Sequence, residues 1–181
     1  DDEIRFMQIC NIVYPFKKYF TGDMGLKLCT ISTIKDKSIT YRYQKPVLNK
    51  LGPIFDEKNI GKYSKKILSI VNIIKKSNGI VFVYSQYLKS GIIPLALALE
   101  HVGYAKLNSE QLLSYDKKQK PISYNGESLS TENKNTFQRG NYIILSSDEK
   151  LSSNMINEIN ISKSDQNSVG QKIKIILGTS V

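Results

Sequence analysis

The sequence predicts an α/β fold in which a mainly parallel sheet carries helices on both faces. Between residues 62 and 103 a helix, a strand and a second helix follow one another with tight connections. Two more strand candidates follow at Asn141–Leu145 and Lys172–Leu177. Strands that alternate with helices in this way are typical of parallel sheets with covering helices. We therefore assign residues 61–181 to one α/β domain and residues 1–60 to an irregular, basic N-terminal extension.

The extension contains short apolar pieces broken by turn residues. Residues 21–25 predict a turn, and residues 28–34 and Ser38–Tyr43 predict two strands joined by Lys35–Lys37. Residues 46–59 are expected to form a loop. Tyr41, Arg42 and Tyr43 lie in a basic segment and are candidates for stacking on bases. The alternative is an ordinary half-buried strand.

A helix over residues 62–77 is the clearest element of the domain. Ile67, Ile70, Val71 and Ile74 recur at helical spacing, which predicts one apolar face. Ser77, Asn78 and Gly79 then end the helix and lead into the next strand.

A strand over Ile80–Tyr84 follows, and its β-branched and aromatic residues predict burial on both faces. In the next helix Ser90 is the expected N-cap, Pro94 suits the first turn, and Gly103 suits the C-terminal end. His101 is expected to be a residue at the end of this helix, because the chain has no second histidine to share a catalytic or zinc site.

Residues 105–140 form a polar insertion rich in Lys, Asn, Ser and Gln. Leu107, Leu112 and Leu113 predict one short helix within it, and the remainder is expected to be loop. Downstream of the Asn141–Leu145 strand, residues 152–161 predict another short helix. Asp148 and Glu149 lack a partnering nucleophile or metal ligand, so a solvated turn is expected there.

Each of the three strands ends in small or hydroxylated residues. If the strands are parallel, these ends meet at one edge of the sheet, where open α/β sheets bind ligands. Hydroxyls and free backbone amides at such an edge can hold phosphate oxygens. The residues concerned are Ser85, Gln86 and Tyr87 after the first strand, Ser146 and Ser147 after the second, and Gly178, Thr179 and Ser180 after the third.

Composition and charge narrow the function classes. The net charge is +10, and residues 1–80 contribute +8 of it, which favours contact with a polyanion such as nucleic acid. The alternative is compositional bias, because Ile, Lys and Asn make up 61 of 181 residues, as an AT-rich genome would give. The two cysteines, Cys10 and Cys29, form no disulfide framework and favour a reducing, intracellular compartment. No apolar run is long enough for a membrane span, and the acidic start resembles no signal peptide.

Several segments together resemble the second RecA-like domain of superfamily 2 helicases, in the variant found in poxviruses and other large cytoplasmic DNA viruses. The segments are ICNIVYP, KYSKKILSIVNIIKKSNGIVFVYSQY, SGIIPLALALEHVGY and GQKIKIILGTSV, in that order. The resemblance places Ser85 and Gln86 in motif IV and Gly178, Thr179 and Ser180 at the start of motif V. In the family these motifs contact nucleic acid and the nucleotide between two domains.

The resemblance implies a fragment of an NTP-dependent nucleic-acid translocase, truncated at motif V, with ATP and Mg²⁺ bound in the parent protein. Its implied partners are DNA or RNA, the first RecA-like domain of the same chain, and a viral RNA polymerase or transcription factor subunit, in the host cytoplasm or virion. The sequence has no GxxxxGK[ST] loop, acidic box or Gln-Arg motif, so we expect no NTP hydrolysis by this fragment alone. Two alternatives are a non-catalytic module that binds nucleic acid or polymerase, and a flavodoxin-like enzyme, which would need a Gly-rich phosphate loop.

Overall fold

The computed structural model describes residues 2–16, 21–108, 110–117, 119–152 and 154–180, and its N-terminal segment is more regular than the sequence predicts. Helix α1 spans Asp2–Asn11 and helix α2 spans Gly22–Cys29. The predicted turn at residues 21–25 is therefore wrong, because Gly22, at a φ of +60°, opens a helix there. The first strand is predicted from residue 28 but begins at Thr30, because Leu28 and Cys29 belong to α2.

Strands β1, Thr30–Lys35, and β2, Ser38–Tyr43, form the predicted antiparallel hairpin. Asp36 and Lys37 both have positive φ and make its two-residue turn, whose twist suits a hairpin. The side chains of β2 alternate between buried and more accessible positions, and Tyr41 and Tyr43 point inward. The base-stacking hypothesis for these two tyrosines is wrong, because their rings are buried in the core.

The predicted loop over residues 46–59 is also wrong. It contains helix α3, Lys45–Leu51, and helix α4, Glu57–Ile60. Pro46 lies in the first turn of α3, where its missing N–H costs nothing. Asp56 caps α4, since its Oδ1 accepts the Lys58 N–H at 2.9 Å. Helices form in this segment despite its loop-like composition, because Pro46 suits a helix start and Asp56 supplies an N-cap.

Helix α5, Lys65–Lys76, confirms the prediction of an amphipathic helix. Ser64 Oγ accepts the Ile67 N–H at 2.9 Å and fixes its start. Ile67, Val71 and Ile74 are buried as predicted. They contribute to the main core between this helix and one face of the parallel sheet.

The parallel sheet contains β3, Val81–Tyr84, β4, Ala105–Lys106, β5, Asn141–Leu145, and β6, Ile175–Gly178. Its spatial order is β3-β6-β5-β4, with every neighbouring pair parallel. Helix α6, Ile93–Val102, joins β3 to β4, and helix α7, Met155–Lys163, joins β5 to β6. These two connections cross the sheet in opposite directions, so right-handed crossovers place α6 and α7 on opposite faces. The predicted mainly parallel α/β fold is confirmed.

Strand β3 departs from the predicted burial on both faces. It is an edge strand, and the side chains of Phe82 and Tyr84 are each 60% exposed. Val81 and Val83 face the core on the other side. The prediction fails because α7 packs on β5 and leaves the Phe82 and Tyr84 side chains of β3 accessible.

The start of α6 also differs from the prediction. A π-helical turn over Leu88–Ile92 precedes the helix, and the Ile92 N–H donates to the Tyr87 carbonyl at 3.1 Å. Ser90 therefore lies inside this turn and is not the N-cap, and its buried Oγ has no partner among the described residues. Pro94 in the first turn and Gly103 at the end of α6 confirm the other two predictions.

The insertion over residues 105–140 packs on the domain through turns and isolated bridges. The short helix predicted from Leu107, Leu112 and Leu113 is wrong. The Leu112 and Leu113 N–H groups donate to the Glu100 carboxylate, and Leu113 forms a parallel bridge with Tyr41 of β2. This segment therefore extends the N-terminal hairpin and ties it to α6.

A buried hydrogen bond between Tyr43 and His101 ties the N-terminal segment to the sheet domain. The Tyr43 hydroxyl accepts the Phe55 N–H at 3.2 Å and lies 2.6 Å from His101 Nε2. The hydroxyl thus joins a backbone N–H of the N-terminal segment to an imidazole nitrogen of α6. His101 is thus at a helix end, as predicted, but its side chain is fully buried and holds the extension in place.

Replacing Tyr43 with phenylalanine is expected to lower the free energy of unfolding by about 2 kcal/mol, because the Phe55 N–H and His101 Nε2 both become unpaired in the core. Urea denaturation followed by circular dichroism measures this change. Tyr115→Phe is the matched control: its ring packs on Tyr43 and His101, and its hydroxyl has no hydrogen-bond partner among the described residues. Equal losses in both variants would contradict the assigned role of the Tyr43 hydroxyl.

Candidate nucleic-acid interface

The carboxyl ends of β3, β6 and β5 adjoin at one edge of the sheet, which we call the rim and define as residues 85–87, 146–148 and 178–180. The Ser85 N–H donates to the Gly178 carbonyl at 3.0 Å, and the Thr179 N–H donates to the Leu145 carbonyl at 3.1 Å. The predicted convergence of the three strand ends is confirmed. The helices that follow β3 and β5 lie on opposite faces, so β6 ends in the crevice where such sheets bind ligands.

The β3 part of the rim is a tight turn. Ser85 Oγ accepts the Tyr87 N–H at 3.2 Å, which leaves Ser85 and Tyr87 half-buried while Gln86 is exposed. A side chain at Gly91 would collide with Ser85 Oγ, so this glycine allows the π-helical turn to approach the rim. The exposed amide of Gln86 is the donor that this turn offers to a ligand.

The β5 part of the rim is a second turn of the same kind. Ser146 Oγ accepts the Asp148 N–H at 3.1 Å, and Asp148 Oδ1 accepts the Lys150 N–H at 3.0 Å. Ser147 between them is exposed. Asp148 and Glu149 therefore belong to a surface turn, as the sequence predicts.

The β6 part combines a buried and an exposed hydroxyl residue. Thr179 is 8% exposed and Ser180 is exposed, while Gly178 is buried beneath neighbouring aromatic side chains. Of the predicted site residues, Gln86 and Ser180 present accessible polar groups. The others shape the rim through their backbone and turn hydrogen bonds.

Lys66 is a cation beside the rim that the sequence prediction did not include. It lines a cavity of about 60 Å³ together with Tyr84, Ser85 and Gly91. Its ammonium donates to Asn11 Oδ1 at 2.8 Å, and it makes no salt bridge within the described residues. The sequence signal that could have indicated this cation is the lysine pair at the start of α5. Helix α5 begins near the rim because it runs antiparallel to β3.

The rim fits part of a Mg²⁺–nucleotide site and lacks the rest. Such a site needs a phosphate-cradling loop, a carboxylate for the metal and a transition-state cation. Asp148 is the carboxylate in the rim, and one of its oxygens already accepts the Lys150 N–H. Within the described residues no cluster of three His, Cys, Asp or Glu side chains could hold a metal ion. We therefore derive no catalytic step from this rim.

Comparison of the chain with models of known protein families and with curated protein sequences finds no match. Across the described ranges no helix combines the length and the hydropathy that a bilayer crossing requires.

Proposed function

We propose that this chain is the second motor lobe of an NTP-dependent nucleic-acid translocase and that its rim contacts the phosphates of a bound strand. The observation that supports this proposal is the meeting of three polar strand ends at one edge, with Lys66 beside them. Exposed hydroxyl and amide groups donate well to phosphate oxygens, and they tolerate any sequence because they do not touch base edges.

The parent protein would bind ATP and Mg²⁺ between this lobe and a first RecA-like domain, and closure of that cleft would move the strand. Its setting would be the cytoplasm of an infected cell or a virion, with a viral RNA polymerase or transcription factor subunit as a further partner. These features rest on the resemblance of the motif series. The net charge of +10 agrees with a polyanionic substrate.

A second candidate is a non-catalytic module that binds nucleic acid or polymerase through its basic N-terminal third. The N-terminal segment favours it because that segment is folded onto the domain through Tyr43 and Tyr41 and presents a fixed surface. Flanking coding sequence separates the two functions. A Walker loop upstream and a Gln-Arg motif downstream would establish the translocase, and their absence would favour the module.

Lys66→Glu is expected to weaken binding of a fluorescein-labelled 12-nucleotide oligo(dT) about tenfold at low salt. It should also reduce the slope of log K against log salt by about 0.7, the value for one phosphate contact to a single strand. Fluorescence anisotropy across a salt series measures both quantities.

Lys134→Glu is the matched control, because it changes the net charge equally but lies on an exposed turn of the insertion, outside the residues that define the rim. Its affinity and slope should stay near those of the unmodified chain. Equal losses in both variants would indicate diffuse surface charge and overturn the rim as the site. No binding by the unmodified chain at low salt would overturn the proposed function itself.

A further inference from the structure

Strand β3 exposes an unusual pair of aromatic side chains, Phe82 and Tyr84, which we call the aromatic strip. Both project from the sheet face opposite the main core, and each is 60% exposed. Ile80 precedes them on the same face and is 38% exposed. A contiguous apolar patch of this kind on a folded domain indicates a contact surface.

Gly178 allows the two rings to lie close to the sheet. A Cβ at Gly178 would lie 3.0 Å from Phe82 Cζ and 3.8 Å from Tyr84 Cδ2. Both rings therefore lie near Gly178, and a side chain there would displace the Phe82 ring while only touching Tyr84. The strip adjoins the rim, since Tyr84 precedes Ser85 and pairs with Gly178.

The edge of β3 lacks the features that usually protect an edge strand from other molecules. Residues 79–85 contain no charge and no proline, whereas natural edge strands commonly carry lysine, proline or a bulge. The Phe82 and Tyr84 rings thus stand on an unprotected strand.

The chemistry beside the strip favours nucleic acid as its occupant. Tyr84 is followed directly by Ser85 of the rim, so a ligand on the strip also meets the polar groups of the rim. A ligand that carries planar apolar groups and phosphates together satisfies both surfaces. A second copy of this chain would bring another +10 charge to the surface and would repel it at low salt.

We propose that the aromatic strip stacks unpaired bases of a single nucleic-acid strand whose phosphates lie along the rim. This inference rests on the proposed function and narrows its substrate to single strands. Alternate residues of a strand are about 6.6 Å apart, roughly twice the 3.4 Å separation of stacked bases in a duplex. Neighbouring bases can occupy both rings only when they are unstacked, which a single strand permits. Stacking of this kind tolerates any base sequence.

The test compares Phe82→Ala and Tyr84→Ala with the matched control Phe6→Ala, whose side chain is 64% exposed on α1. The probes are the labelled 12-nucleotide oligo(dT) and a labelled 12-base-pair duplex. Each strip variant should bind the single strand about tenfold more weakly, with an unchanged salt slope, because stacking is lost and phosphate contacts remain. Phe6→Ala should match the unmodified chain. The unmodified chain should bind the single strand more tightly than the duplex, and this preference should shrink in each strip variant because duplex bases do not stack on the strip.

Photo-crosslinking of the bound oligo(dT), with mapping by mass spectrometry, should place the crosslink on Phe82 or Tyr84 and supports the proposal without any variant. If the unmodified chain binds no oligonucleotide, the proposed function fails and this inference fails with it. If Lys66→Glu weakens binding and the strip variants do not, the rim stands and the strip is overturned as a base platform. Sedimentation that shows a dimer abolished by Phe82→Ala would also overturn it and would assign the strip to self-association.

Discussion

Gly103→Ala is expected to lower the free energy of unfolding by about 4 kcal/mol through backbone strain and overpacking together, the largest effect of any substitution we predict. Gly103 has a φ of +118°, and a non-glycine residue in such a conformation costs about 1–3 kcal/mol. In addition, its Cβ would collide with the Lys120 carbonyl oxygen, a backbone atom that cannot rotate away.

The collision matters because Gly103 is where the insertion attaches to α6. The Gly103 carbonyl accepts the Ile122 N–H at 3.3 Å and Arg139 Nε at 3.1 Å. Displacing residues 120–122 would strain the Ile122 hydrogen bond. It would also shift the entry into β5, because the Gly140 N–H donates to the Ile122 carbonyl at 2.8 Å. The loss therefore combines backbone strain with disrupted packing, and urea denaturation measures it.

Gly79→Ala separates these two contributions. Gly79 has a φ of +74°, and a Cβ there would meet no atom within 4 Å. This variant should lose only about 1–2 kcal/mol, the strain of the left-handed conformation. If the two variants were equally unstable, the contact between Gly103 and Lys120 would have no energetic role.

The elements that the sequence predicts well are those whose local pattern and tertiary environment agree. Helix α5 has an apolar face at helical spacing and a serine cap, and the core covers that face. Strand β5 is an apolar run that lies inside the sheet with both neighbours present. The meeting of the three strand ends at the rim could be predicted because parallel strands end at the same edge of a sheet.

The missed features depend on contacts that are distant in the chain. Strand β4 has two residues and exists because β5 lies beside it, 36 residues downstream by its Ala105–Asn141 pairing. The sequence of β3 is as apolar as that of β5, and only the strand order shows that Phe82 and Tyr84 lie on an open face. Lys66 likewise joins the site because α5 runs antiparallel to β3. Composition carries no information about such neighbours.

Glu100 and His101 are adjacent in sequence, and burial shifts their pKa values in opposite directions. Burial raises the pKa of Glu100 to about 7, despite hydrogen bonds from Tyr142, Leu113 and Leu112 and the nearby Lys106 that lower it. Burial lowers the pKa of His101 to about 4, and Asp56, with Oδ2 3.8 Å from Nδ1, opposes this only in part. Both groups are therefore held closer to neutrality than in the unfolded chain.

The two shifts make opposite contributions to the pH dependence of stability. Between pH 6.5 and 4 the unfolded chain binds the His101 proton more readily than the folded chain, so acidification costs about 3 kcal/mol. Between pH 7 and 4.5 the folded chain binds the Glu100 proton more readily, so acidification restores about 3 kcal/mol. In the unmodified chain these two contributions nearly cancel.

Glu100→Gln is therefore expected to become about 3 kcal/mol less stable, relative to the unmodified chain, as the pH falls from 7 to 4. The quantity plotted against pH is the free energy of unfolding of the variant minus that of the unmodified chain. The loss of the Leu113 hydrogen bond shifts this difference equally at every pH. Exposed carboxylates occur in both chains, so their protonation cancels. His101→Gln is the control and should show a slope of the opposite sign. If the free energy of unfolding changed with pH in the same way for all three proteins, the result would contradict the burial of Glu100 and of His101 in the folded chain.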